Sequence, residues 1–217
     1  MRAGHRRGIC PHDRGGCHGG GHEEVVMDRS SRRMIAALLL ALMPALGDSL
    51  PVRADTSLFK PNSLHTAAFL GRTDETRSLL VRGTQVNSVD NDDKTALIWA
   101  ATAGRVDSVK LLLDYRAIVD LRDRLGNTAL WYAAANDHDE VVRTLVAAGA
   151  NVNNENSDGA TPLIGAASKG AMAAARTLID AGANVNHNDY TGRTVLQWAE
   201  EGRSAPLMRL LKQKGAR

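Results

Sequence analysis

The stretch Thr161-Pro162-Leu163-Ile164-Gly165-Ala166-Ala167, continued by Leu178-Ile179 and Gly182-Ala183-Asn184-Val185-Asn186, decides how the chain is read. Thirty-three residues earlier it recurs as Thr128-Ala129-Leu130-Trp131-Tyr132-Ala133-Ala134, Leu145-Val146 and Gly149-Ala150-Asn151-Val152-Asn153. The same step back reaches Thr95-Ala96-Leu97-Ile98-Trp99-Ala100-Ala101, and the step forward reaches Thr194-Val195-Leu196-Gln197-Trp198-Ala199. A fixed period of this size belongs to stacked repeats, in which each unit buries its apolar face only against its neighbours.

Within one period the residue types predict two helices. Thr95, Thr128, Thr161 and Thr194 stand where a hydroxyl caps the first helix, and Pro162 suits the first helical position. Leu64, Leu97, Leu130, Leu163 and Leu196 form one expected buried column, and the pairs Ala67-Ala68, Ala100-Ala101, Ala133-Ala134 and Ala166-Ala167 allow close helix approach. Leu79-Leu80, Leu112-Leu113, Leu145-Val146 and Leu178-Ile179 supply the core face of the second helix. Gly83, Gly149, Gly182 and Gly215 follow that helix at a left-handed position, where Arg116 interrupts the column. Asp93 likewise replaces the hairpin-tip glycine present as Gly126, Gly159 and Gly192, which makes the second repeat the weakest locally. In the last unit the second alanine of the pair becomes Glu200, and the position of Leu80, Leu113, Val146 and Ile179 becomes Lys212. Polar edits of this kind suit a terminal repeat that no neighbour covers.

The pattern Thr-Pro-Leu-x-x-Ala-Ala, a Val/Leu run, Gly-Ala and Val-Asn resembles the ankyrin repeat over residues 62–217. The resemblance implies an all-α ankyrin-repeat solenoid of helix-turn-helix units with β-hairpin fingers. Five units are expected, at 62–91, 92–124, 125–157, 158–190 and 191–217, with Ser57-Leu58-Phe59 in a lead-in over 55–61 capping the front. It also implies a partner lying in a concave groove, against the first helices and the fingertips. The residues two beyond each column leucine then face the groove: Thr66, Trp99, Tyr132, Gly165 and Trp198. Trp and Tyr are enriched at binding hot spots, each worth about 2 kcal/mol or more when a partner buries it. Two readings of the rings stay open, recognition of a partner or simple cover for the core over Ala103 and Ala135. Trp131 falls in the column of His65 and reads as packing. Phe69 and the fingertip residues Arg122, Arg124 and Tyr190 complete the expected partner-binding set. The other fingertip charges, Asp90, Asp123 and Asp189 among them, read as a solvated rim.

Charge and cysteine narrow the function. Residues 1–54 hold eight Lys/Arg, five Asp/Glu and both cysteines, whereas residues 55–217 hold 19 Lys/Arg and 19 Asp/Glu. The repeats thus lack the basic excess that nucleic acid requires, and they offer no thiol. His65 reads as structural by its register, and Asp137-His138-Asp139 reads as an exposed turn with no nucleophile in register. No phosphate loop, metal spacing or nucleophile elbow is present, so no enzymatic activity, cofactor, metal or small-molecule substrate is expected.

The front of the chain reads as targeting. Arg29, Arg32 and Arg33 precede the apolar run Met34–Leu46, and Val52-Arg53-Ala54 offers a cleavage site. This describes a signal peptide over 27–54 cut near Ala54, and Ser31-Arg32-Arg33-Met34-Ile35 also resembles a twin-arginine signal. Residues 1–26 read as a disordered or untranslated extension, with Met27 or Met34 as the true start. Their Cys10, His12, Cys17, His18 and His22 lack the small core that a structural zinc site needs. The expected molecule is a periplasmic or secreted monomer that binds a protein partner. It would contact the membrane only if the signal segment stays uncleaved, as in a tethered scaffold. An immunity protein neutralising a toxin is the other variant.

Overall fold

The computed structural model describes residues 63–217. The extension 1–26, the signal segment 27–54 and the lead-in 55–61, with every reading placed on them, lie outside the described residues. Among the described residues ten helices follow one another in pairs. They are α1 (Leu64–Leu70) and α2 (Thr73–Val81), α3 (Ala96–Thr102) and α4 (Val106–Asp114), α5 (Ala129–Ala135) and α6 (Asp139–Ala147), α7 (Pro162–Lys169) and α8 (Met172–Asp180), and α9 (Val195–Glu201) and α10 (Ala205–Gln213).

Every first helix starts on a hydroxyl. Ser63, Thr95, Thr128, Thr161 and Thr194 each accept the amide three residues on, at 3.2–3.4 Å. In α9 the box is complete, because Gln197 Oε1 accepts the Thr194 amide at 2.9 Å. First helices pack on first helices and second on second. The alanine pairs are 0–2 % exposed, so backbones meet with little between them, and Leu112, Leu145, Leu178 and Leu211 fill the second layer at 0 %. Burying one such leucine stabilises the stack by about 1.5–3 kcal/mol. The first column holds through Leu64, Leu97, Leu130 and Leu163 but not at Leu196. That side chain is half-buried, and Glu200 and Lys212 of the same repeat are exposed.

The fingers between repeats are too short for strands. Among the described residues only isolated antiparallel bridges form, Val89 with Thr95 and Asn188 with Thr194, in place of the expected β-hairpins. Each finger closes through a backbone pair instead, from the amides of Asp90, Asp123, Asn156 and Asp189 to the carbonyls of Lys94, Asn127, Ala160 and Arg193 at 3.0–3.1 Å. Three residues before each finger's Asp or Asn, Asn87, Asp120, Asn153 and Asn186 accept the amides of Ile118, Asn151, Asn184 and Arg217 in the following repeat.

Among the described residues four non-glycine residues take left-handed backbone, Asp93, Arg116, Asp137 and Arg203, and Arg116 and Asp137 do so under different conditions. Arg116 has φ 64° after α4, at the place of Gly83, Gly149, Gly182 and Gly215, with no hydrogen bond from its side chain to offset the strain. Asp137 has φ 57° between α5 and α6, where the preceding repeat has Gly104. Gly104 is required because the His138 ring lies on it, at 2.7 Å from where a Cβ would stand, with Nε2 3.1 Å from the Thr102 carbonyl. In the next repeat the residue in register with His138 is Ala171, which has no ring to lay on position 137. Asp137 uses its side chain to accept the Ala174 amide at the start of α8 at 2.9 Å. Of the Asp137-His138-Asp139 turn, expected to be exposed, only Asp137 is so. His138 and Asp139 are half-buried, and Asp139 binds Arg143 and the Thr177 hydroxyl of the next repeat.

Candidate partner-binding face

The first helices and fingers make one continuous face, and its aromatic residues are held by aspartates. Trp99 donates its indole N–H to Asp90 Oδ2 at 2.7 Å, Tyr132 its hydroxyl to Asp123 Oδ2 at 2.6 Å, and Trp198 its indole N–H to Asp189 Oδ2 at 2.9 Å. The donor stands nine residues after the acceptor each time. The other carboxylate oxygen of each aspartate closes its finger, accepting the amides two and four residues on at 2.8–3.0 Å. These aspartates are not a solvated rim: Asp123 and Asp189 are each 6 % exposed. The signal was present in the sequence as a nine-residue offset riding on the 33-residue period, visible only when rings and fingers are read together.

Burial raises the Asp90 and Asp189 carboxyls, but their hydrogen bonds outweigh it and hold both below the ordinary carboxylate range. The bonds come to Asp90 from the Lys94 amide, the Trp99 indole and the Asp92 amide, and to Asp189 from Thr191, the Arg193 amide and the Trp198 indole. Burial and the Asp123 carboxylate push the Tyr132 phenol far upward, so it stays a neutral donor. The rings thus have fixed tips and half-buried faces. Lys94 Nζ lies 5.0 Å from the Trp99 centroid and 4.7 Å from that of Tyr132, and the Arg193 guanidinium lies 4.9 Å from Trp198. Phe69, 39 % exposed, meets Trp99 edge-on at 5.5 Å and extends the apolar surface into the first repeat.

The remaining expected site residues spread along the same face. Thr66 is half-buried, and its hydroxyl lies 2.9 Å from that of Ser63. Gly165 is buried, since the Trp131 indole covers it 3.1 Å from where a Cβ would stand. Trp131, packed edge-on to Tyr132 at 5.3 Å, thereby covers the rung at Gly165, which has no ring of its own. Both arginines reach neighbouring fingers. Arg124 turns back to the Asn91 carbonyl and the Asp92 and Asp93 carboxylates, whereas Arg122 turns forward to the Glu155 carbonyl and Asn154 Oδ1. Tyr190 is 71 % exposed at the fourth fingertip. His65 Nε2 lies 2.8 Å from the Ser88 carbonyl, bracing the first finger.

Charge divides between the two faces although the repeats as a whole are neutral. The finger and first-helix segments (63–71, 84–104, 117–136, 150–170 and 183–202) carry ten Asp/Glu and five Lys/Arg. The second-helix segments (72–83, 105–116, 137–149, 171–182 and 203–217) carry eight and thirteen. The ring-bearing face is therefore net acidic.

Stacked helix pairs with a capped terminal unit and a decorated finger face define a helical-repeat solenoid of the interaction-scaffold class. A family model of ankyrin repeats (3 copies) matches residues 64–156 and 148–217, and the chain belongs to the ankyrin-repeat family. Members of that family generally mediate protein–protein contacts and are typically non-enzymatic. A search of curated proteins gave no match to the chain. Among the described residues no group of three or more His, Cys, Asp or Glu is placed to hold a metal ion, and no helix is long and apolar enough to cross a membrane.

Proposed function

We propose that the chain is a non-enzymatic scaffold that captures a partner protein on the finger and first-helix face, with Trp99, Tyr132 and Trp198 as its anchors. The observation that carries this reading is the ring-to-aspartate register. The bond satisfies the polar tip of each half-buried ring and also fixes its orientation, whereas Trp131, which covers Gly165, has no acceptor for its indole N–H among the described residues. A ring fixed beforehand loses less entropy when a partner covers it. Trp99→Ala combined with Trp198→Ala, in the full chain, should lower partner capture at least a hundredfold while the chain keeps its helical circular dichroism and a cooperative melt, shifted down by the loss of the two indole bonds. Undiminished capture by a folded double variant would sink the proposal.

In this reading the protein acts after export, as a monomeric accessory or protective partner of an envelope protein. What supports export is the basic, apolar and small-residue succession of Arg29 to Ala54. The intact mass of the natural protein tests it. A species beginning at Asp55 in the soluble envelope fraction is expected, and a membrane-bound species retaining Met27 or Met34 would make it a tethered scaffold.

A further inference from the structure

Among the described residues four rings on this face donate to a carboxylate, and three of them carry a cation from those residues. Trp99 and Tyr132 share Lys94, and Trp198 has Arg193. The fourth is Tyr190, whose hydroxyl donates to Glu155 Oε2 at 3.1 Å. Among the described residues no Lys or Arg stands over its ring. The ring lies against Gly159, where a Cβ would come 2.4 Å from Cδ1, and 71 % of the residue remains exposed.

The surroundings are acidic. Glu155 and Asp158 are the only charged residues of the third finger, and the Asp158 side chain makes no ion pair among the described residues. Arg122 reaches this finger and its charge acts on the Tyr190 phenol, but its bonds go to the Glu155 carbonyl at 2.9 Å and Asn154 Oδ1 at 3.2 Å, not to the Glu155 carboxylate. His187 Nε2 bonds the Gly159 carbonyl at 2.9 Å and stands 3.8 Å from Glu155 Oε1. A carboxylate that accepts from a phenol makes the ring face more negative, and a cation above such a ring gains from both.

We propose that Tyr190, with Glu155 behind it and Asp158 beside it, seats an arginine or lysine side chain from a basic segment of the partner. The proposal rests on the reading of this face as the partner-binding surface, and it gives the partner a chemistry. The net acidity of the face draws a basic segment in, and the occupied rings at Trp99, Tyr132 and Trp198 show the geometry that the incoming side chain adopts at the fourth.

The test uses the full isotope-labelled chain and two peptides, acetyl-Leu-Arg-Leu-amide and its counterpart with citrulline, which keeps the shape of arginine without its charge. The arginine peptide should shift the amide signals of Asp158, Gly159 and Tyr190. Its affinity should fall at least tenfold with citrulline or in the Glu155→Gln/Asp158→Asn variant, and only a few-fold in Tyr190→Phe. Equal binding of the two peptides, or binding unchanged in the double variant, would overturn the proposal. The outcome also separates from that of the parent reading. A partner that requires Trp99 and Trp198 but is held undiminished by a folded Tyr190→Leu/Glu155→Gln/Asp158→Asn variant removes this seat and leaves the scaffold. Capture that survives loss of both tryptophans removes the scaffold reading, while the peptide titration still decides on Tyr190.

Discussion

The ring of the second repeat, Trp99, donates to Asp90 in the finger before it, whereas before the fourth repeat Asn156 stands at the same place and Gly165 replaces the ring. Asn156 Oδ1 still accepts the Asp158 and Ala160 amides at 2.9 and 2.8 Å, so closing a finger needs one acceptor oxygen and no charge. The second carboxylate oxygen in the other fingers serves the ring alone. The backbones differ in the opposite sense. The fourth repeat has glycine at each of its three left-handed positions, Gly159, Gly170 and Gly182, while the second has Asp93, Gly104 and Arg116. The regular backbone carries the plain surface, and the decorated surface sits on the irregular one.

The largest effect expected from this comparison is at Asp123. Asp123→Ala removes the acceptor of the Leu125 and Asn127 amides and of the Tyr132 hydroxyl from a site that is 6 % exposed. Unsatisfied buried donors should cost about 3 kcal/mol in urea unfolding. Asp123→Asn, which makes the third finger's arrangement in the second, should lose less than half of that. Equal losses would mean that the carboxylate, not the acceptor oxygen, closes the finger.

The reverse exchange, Asn156→Asp, should cost about 2 kcal/mol. Asn156 Nδ2 donates to Asn127 Oδ1 at 2.9 Å in a buried pair, and an aspartate would set two acceptors against each other with no ring to donate. A neutral or stabilising result at pH 7 would break the link drawn between carboxylate and ring.

Asp90→Asn and Asp189→Asn test the same link through pH, at about 1 kcal/mol each near neutrality. Both carboxyls are held below the ordinary range, so their charged-state contribution is complete above an unfolded value near 4. It is lost as the pH falls through the lower folded value, because the unfolded chain takes up protons first. The gap between parent and variant should therefore narrow from pH 7 toward pH 2, and a gap independent of pH would contradict it.

The solenoid was legible because its determinants are local and repeated. Threonine caps, alanine pairs and leucine columns each recur at one spacing, and each acts within a repeat or against the next. The candidate face was legible only in part. Trp99, Tyr132 and Trp198 stand out by type and register, but their aspartates look like ordinary loop polarity until the finger is folded back to bring an acceptor to each ring. Asp137-His138-Asp139 misled for the same reason. Its partners lie 36 to 38 residues away at Thr102, Ala174 and Thr177, and nothing in the segment itself announces them.

The smallest effects concern the backbone of the second repeat, where the sign is the informative part. Arg116→Gly should raise stability by somewhat under about 1 kcal/mol, since the arginine holds φ 64° with no hydrogen bond from its side chain and glycine occupies every other repeat at that place. Asp93→Gly should gain less. Aspartate tolerates φ 59° better than most residues, and its carboxylate stands 3.7 Å from Arg124 Nε, a contact between exposed groups that is lost on substitution. Asp137→Gly should go the other way. The strain relieved there is offset by loss of the bond to the Ala174 amide, which joins the third repeat to the fourth. If all three glycine variants proved stabilising, Asp137 would be a strained residue like Arg116 and not a link between repeats. Thermal unfolding of the three single variants under one set of conditions decides it.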